Sequence, residues 1–188
     1  MKKNKLQFHK TGFTLIEMLI AVAIFSLALV ALMSISSKGL KTAQRAEKQF
    51  IADYLAIEAI EVVHNLRDAA LLHTFNTSSW EMVFQGSPEI INGDEGCFDG
   101  TSACNFYFQP GDSQPVLGTC SDCTVFVNES EFYYFQTQND TNSGYQTTPY
   151  RREISIKSGS VEGQVVVEVT VFWGNKNVVY TENLYLWQ

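Results

Sequence analysis

The sequence predicts an α+β protein in which one long N-terminal α-helix, half membrane-spanning and half stem, packs against a C-terminal antiparallel β-sheet. Three observations carry this prediction. Residues 13–35 form an apolar block without Lys, Arg, Asp, Asn or Gln. Residues 38–72 contain no proline and are dominated by Ala, Leu, Ile, Glu, Lys and Gln, a composition that sustains a helix. In residues 164–173, Val165, Val167, Val169, Val171 and Trp173 alternate with Glu168 and Thr170, the period-2 pattern of a strand with one buried face.

The first of these elements sets the class. Twenty-three residues of helix, from Phe13 to Ile35, rise about 34 Å at about 1.5 Å each, enough for a hydrocarbon core of about 30 Å. Lys2, Lys3, Lys5 and Lys10 precede the block. Basic residues stay cytoplasmic, so the chain is expected to cross once with its N-terminus inside and its C-terminal part outside. A secretory signal peptide is the competing reading, but its apolar core is only about 7 to 15 residues long. A plain anchor leaves one residue unexplained: Glu17 lies inside the apolar run, where a carboxylate costs on the order of 3 kcal/mol.

The run from Lys10 to Ala21, Lys-Thr-Gly-Phe-Thr-Leu-Ile-Glu-Met-Leu-Ile-Ala, resembles the cleavage and methylation signature of type IV prepilins and pseudopilins. The resemblance implies the pilin fold, removal of residues 1–12 by a prepilin peptidase cutting after Gly12, and N-methylation of the new terminus at Phe13. It also implies an assembly role for Glu17, paired with the Phe13 amine of a neighbouring subunit. A buried carboxylate beside a newly made ammonium is far less costly than either charge alone.

Beyond the block, the helix is expected to continue as a stem to between His73 and Thr77, where Asn, Thr, Ser and Gly take over. Gly39, following Ser34, Ser36 and Ser37, is its weakest point. Many major pilins carry a proline in this stretch and this chain has none. Phe50, Tyr54 and Ile57 share one edge of the helical wheel, and Ile51, Leu55, Val62 and Leu66 continue an apolar stripe broken by Glu58. The segment from Tyr54 to Ala70 is similar to the stem of minor pilins described as pilus modification proteins.

For the head, Gly174 to Asn177 reads as a hairpin turn from strand 164–173 into a strand from Val178 to Trp187. Ile154 and Ile156 mark the preceding strand, residues 131–136 a fourth, and Pro88, Pro110, Pro115 and Pro149 are expected between elements. Residues 85–128 read as a loop-rich insertion holding all four cysteines, Cys97, Cys104, Cys120 and Cys123. An even count in such a context implies disulfides and an oxidising compartment. Three pairings are possible, and the sequence-local one, Cys97 with Cys104 and Cys120 with Cys123, is preferred.

Other chemistry finds little support. The formal charge is −7, and −11 once the four leader lysines are removed, which repels nucleic-acid backbones. Cys120 to Cys123 has the spacing of half a zinc site, but the other cysteine pair fits poorly. Asn92, Asp94, Glu95 and Asp99 gather oxygens as a weak calcium candidate, without EF-hand spacing. His9, His64 and His73 have no nucleophile near them in sequence, so no catalytic set can be assembled and no cofactor is expected. Asn76, Asn128 and Asn139 occupy N-x-Ser/Thr patterns.

The expected organisation is therefore a cleaved leader 1–12, a filament-core helix 13–35, a helical stem 36–73 and a β-rich head 74–188 with the cysteine region 85–128. The function implied is structural, that of a minor pilin in a type IV pilus-like extracellular filament, and not enzymatic. Its partners would be the prepilin peptidase, other pilin or pseudopilin subunits, an inner-membrane assembly platform, and membrane lipid before assembly. A type II secretion pseudopilin is the alternative within the resemblance, and a singly anchored cell-surface binding domain the alternative outside it.

Overall fold

The computed structural model describes residues 12, 14–73, 97, 102–108, 115–128, 133–136, 145–161 and 163–185. The chain divides into two compact units, residues 1–46 and residues 47–188. Helix α1 runs unbroken over Leu15–His73, through Gly39. In the first unit, every described residue is exposed. Here Ser26 and Thr42 return their hydroxyl hydrogens to the carbonyls of Val22 and Lys38, one turn back.

Among its described residues, the second unit is built on a seven-stranded sheet. Its strands are β1 (Cys104–Phe108), β2 (Pro115–Thr119), β3 (Thr124–Asn128), β4 (Tyr133–Phe135), β5 (Gln146–Ser158), β6 (Gln164–Trp173) and β7 (Lys176–Tyr185). All described pairings are antiparallel. β6 runs as a full ladder between β5 and β7, with Ile154 opposite Val169 and Ile156 opposite Val167. Alternation puts Ile154, Ile156, Val165, Val167, Val169 and Val171 on the buried face.

Against that face α1 lays Ala52, Leu55, Ala56, Ala59, Val62, Val63 and Leu66, spaced three and four residues apart. The three alanines are fully buried, and their small side chains let helix and sheet approach closely. The apolar stripe expected on the stem therefore splits. Leu55, Val62 and Leu66 enter the core, whereas Phe50, Tyr54 and Ile57 stay exposed, the first two in an edge-on ring contact at 4.7 Å.

β5 is the hub of the sheet because its second edge is shared. Its N-terminal half pairs with β3 and, further on, Ile154 pairs with Cys104 of β1. The ladder with β3 shifts register between Thr124 and Phe126. Pro149 sits within β5 near this bulge, where its missing N–H breaks no regular ladder. Thr148 fills the gap by donating its hydroxyl to the Val125 carbonyl, and it accepts from the Tyr150 amide at 3.2 Å.

Several expectations are corrected. Residues 85–128 are not loop throughout, since β1, β2 and β3 all lie within them. Pro115 opens β2 and Pro149 lies inside β5, so two of the four prolines belong to strands; Pro88 and Pro110 fall outside the described residues. The hairpin turn is only Gly174 and Asn175, and β7 starts at Lys176 rather than Val178. Gly174 has φ of +58° while Asn175 does not enter the left-handed region, so the turn needs glycine at its first central position.

Candidate assembly site on the amino-terminal helix and the buried arginine of the second unit

In the first unit, α1 begins with its own cap. The Thr14 carbonyl accepts from the amides of Glu17 at 3.1 Å and Met18 at 3.3 Å, and the Thr14 hydroxyl oxygen accepts from the Glu17 amide at 3.4 Å. Thr14 followed by Glu17 is the Ser/Thr-x-x-Glu pattern that satisfies orphan donors at a helix start. An apolar block that begins at Phe13 hides the cap residue Thr14 in the sequence, although the Thr-x-x-Glu pattern marks it.

Glu17 lies in this first turn. There the positive end of the helix dipole stabilises a carboxylate by about 0.3 to 1 kcal/mol, well below its cost in an apolar surrounding. Gly12 is exposed, and a Cβ built on it meets no atom within 4 Å. Packing in the first unit therefore gives no reason for glycine at that position. Phe13 falls outside the described residues. From Leu15 to Ile35 the large apolar side chains stand open, Leu15 at 79% and Ile35 at 68% exposure. A surface of that kind requires lipid or other helices to cover it.

The second unit holds a charge that the sequence did not flag. Arg152, 1% exposed, points from β5 into the core. Its Nη1 donates to Glu58 Oε2 at 2.7 Å and to the Leu55 carbonyl at 3.1 Å, both on α1. Its Nε donates to Asn105 Oδ1 and Gln136 Oε1, each at 3.2 Å, and Nη2 donates to Gln136 Oε1 at 2.9 Å. The guanidinium also stacks 4.0 Å from the Phe106 ring centroid. Burial pushes its pKa down, and the Glu58 carboxylate pulls it back up.

The amides around Arg152 are themselves tied down. Asn105 Nδ2 donates to the Arg152 carbonyl at 2.8 Å, and Gln136 Nε2 donates to the Cys123 carbonyl at 2.8 Å. That carbonyl also takes the Arg152 amide at 3.0 Å. Cys123 reaches this position with φ of 56°, rare for a residue with a Cβ. A polar cleft of about 550 Å³ opens here, lined by Asn105, Tyr107, Cys120, Asp122 and Gln136 among others. The two amides on its wall are committed to Arg152 and Cys123.

Disulfides join Cys97 to Cys104 and Cys120 to Cys123, so no described cysteine is a free thiol. The first ties residue 97 to the start of β1, and the second closes the turn between β2 and β3. Asn92, Asp94, Glu95 and Asp99 fall outside the described residues, as do Asn76 and Asn139. His64 Nε2 lies 3.1 Å from Glu182 Oε1, ion-pairing distance but off the hydrogen-bonding direction. Tyr180 donates to Asp53 Oδ1 at 3.2 Å, and Tyr150 to the Lys48 carbonyl at 3.3 Å, two further ties between sheet and helix.

Among the described residues, one long apolar N-terminal helix followed by a C-terminal antiparallel sheet is an α+β, pilin-like layout. Residues 8–33 match the family model described as the prokaryotic N-terminal methylation motif, which is characteristic of type IV pilin-like proteins. The match covers 26 of the 188 residues. It supports a protein of the type IV pilin or pseudopilin type, a structural rather than catalytic class. The motif implies processing by a prepilin peptidase and assembly with other pilin subunits, and with the apolar helix it fits a singly anchored membrane protein. Neither a curated protein nor a solved structure matches the chain significantly.

Proposed function

We propose that the chain is a structural subunit, a minor pilin, of a type IV pilus-like extracellular filament, cut after Gly12 and N-methylated at Phe13. Residues 13–35 would be held in the inner membrane before assembly, with the N-terminus cytoplasmic, and would enter the filament core through the assembly platform. The stem 36–73 would carry a head, residues 74–188, facing outward.

The observation that carries this reading is a carboxylate, Glu17, in the first turn of α1, whose stretch from Leu15 to Ile35 is otherwise without charge and wholly exposed, four residues after the Gly12 to Phe13 junction. Cutting that junction creates an ammonium at residue 13, the counter-charge that a membrane-embedded carboxylate requires. The open space around Gly12 supports a glycine kept for a processing enzyme rather than for packing.

Intact mass and N-terminal sequencing of the protein from membranes of cells expressing a prepilin peptidase test the proposal. A chain starting at methylated Phe13 is the expected result. A start at Met1, or near Ser34, overturns it in favour of a plain anchor or a secreted domain.

A further inference from the structure

Charge is sharply divided between the two units. Residues 47–188 contain six Lys and Arg against nineteen Asp and Glu, a net charge of −13. In residues 13–46 the charged residues are Glu17, Lys38, Lys41 and Arg45. The three cations recur at spacings of three and four, which places them on one face of α1. All three are exposed, and none makes an ion pair among the described residues. Lys41 and Arg45, one turn apart, repel each other, and Glu17 is more than twenty residues away, about 30 Å along the helix.

We infer that Lys38, Lys41 and Arg45 form a docking stripe for the acidic 47–188 unit of a second copy of the chain. The charge complementarity is supplied by the chain itself. Among the described acids of that unit, Glu61 and Glu168 are exposed and make no ion pair, and Glu168 lies between Ser155 and Thr181 in the sheet, with no cation opposite. An anionic phospholipid surface fits less well. The headgroup layer adds about 5 to 8 Å beyond the hydrocarbon core, or about four residues of helix. That depth takes in Lys38 but leaves Lys41 and Arg45 beyond it. A stripe running lengthwise along the helix instead suits the flank of another protein.

This inference rests on the filament reading and names the contact that subunits would make. Carbodiimide coupling tests it on the full chain in membranes, because the reagent joins a lysine amine to a carboxylate only where the two are in contact. The expected product is of dimer size, with Lys38 or Lys41 linked to an Asp or Glu of residues 47–188. It should fall at least fivefold in the K38Q/K41Q variant and at 1 M salt. Absence of that product, its persistence in K38Q/K41Q, or coupling that stays within one chain overturns the inference. So does loss of the product when vesicles of anionic phospholipid are added, which would assign the stripe to lipid. The N-terminal sequence of the same sample separates the two failures. Methylated Phe13 without the lysine link sinks the docking stripe alone, and an uncut Met1 start sinks the filament reading.

Discussion

Arg152 Nη1 on β5 and Glu58 Oε2 on α1 lie 2.7 Å apart, and they close the second unit around a nearly fully buried cation. The two partners are unequal, since the Glu58 side chain is 43% exposed and the Arg152 side chain 1%. Most of the worth of this cluster therefore lies in the arginine and the amides it holds, not in Coulomb attraction at a wet surface.

Truncating each partner should separate these contributions. Arg152→Met strips both donors from Gln136 Oε1, whereas Asn105 Oδ1 keeps the Phe106 amide at 3.0 Å. One orphaned acceptor plus lost packing on Phe106 predicts a cost of about 2 to 4 kcal/mol. Glu58→Gln retains an acceptor for Nη1 and should cost about 1 kcal/mol. Thermal unfolding of the full chain in detergent, followed by near-ultraviolet circular dichroism, reads the order. Equal losses for the two variants would refute this division.

Tyr150 gives the fold a signature in alkali. Burial first, then Tyr134 and Glu47, push its pKa from 10.0 up to about 12. A group whose pKa is raised by folding contributes stability fully below its unfolded value and loses it as pH climbs through the folded one. The wild type should therefore weaken between pH 10 and 12. In Tyr150→Phe that part of the decline disappears, so the wild type's advantage should shrink across the window. Tyr180, also raised by desolvation and then by Asp53, accounts for slope that remains. A pH-independent difference between the two proteins would contradict the assignment.

The disulfides should differ in kind. Chain entropy gives about 2.5 kcal/mol for the Cys97 to Cys104 loop and about 2 kcal/mol for the shorter Cys120 to Cys123 loop. The second also holds Cys123 in its left-handed conformation, with its carbonyl on the Arg152 amide and Gln136. Cys120→Ala with Cys123→Ala should thus couple to Arg152→Met, the combined loss departing from the sum by more than about 0.5 kcal/mol. Urea titrations of the separate and combined variants measure it, and simple additivity would show that the turn and the arginine are independent.

What was legible in the sequence follows from the range of the forces involved. The limits of β6, residues 164–173, coincide with its alternation, and α1 runs unbroken through the proline-free stretch as far as His73. Both are local patterns. β1, β2 and β3 are five residues each, and their places depend on partners far away, Cys104 on Ile154 and Phe126 on Thr147. Cysteine, glycine and aspartate at their ends hid the short apolar cores. Arg152 was masked differently. Beside Arg151 it looks like surface charge, yet the alternation of Tyr150, Arg152, Ile154 and Ile156 already put it on the inward face.

Glu17 offers the most direct test of assembly. The carboxylate is not needed to start the helix, because Thr14 already accepts from the Glu17 amide, and the dipole offsets at most about 1 kcal/mol of a cost near 3 kcal/mol in lipid. If a neighbour's Phe13 amine supplies the rest, Glu17→Val should insert in the membrane and be cut normally but enter filaments poorly, at least tenfold below wild type in sheared filament fractions. Gly12→Asp serves as the contrast. It should remain uncut, longer by the twelve-residue leader, and stay in the membrane. Normal incorporation of Glu17→Val would remove the pairing while leaving cleavage intact, whereas an unchanged mature size for Gly12→Asp would move the cleavage site itself.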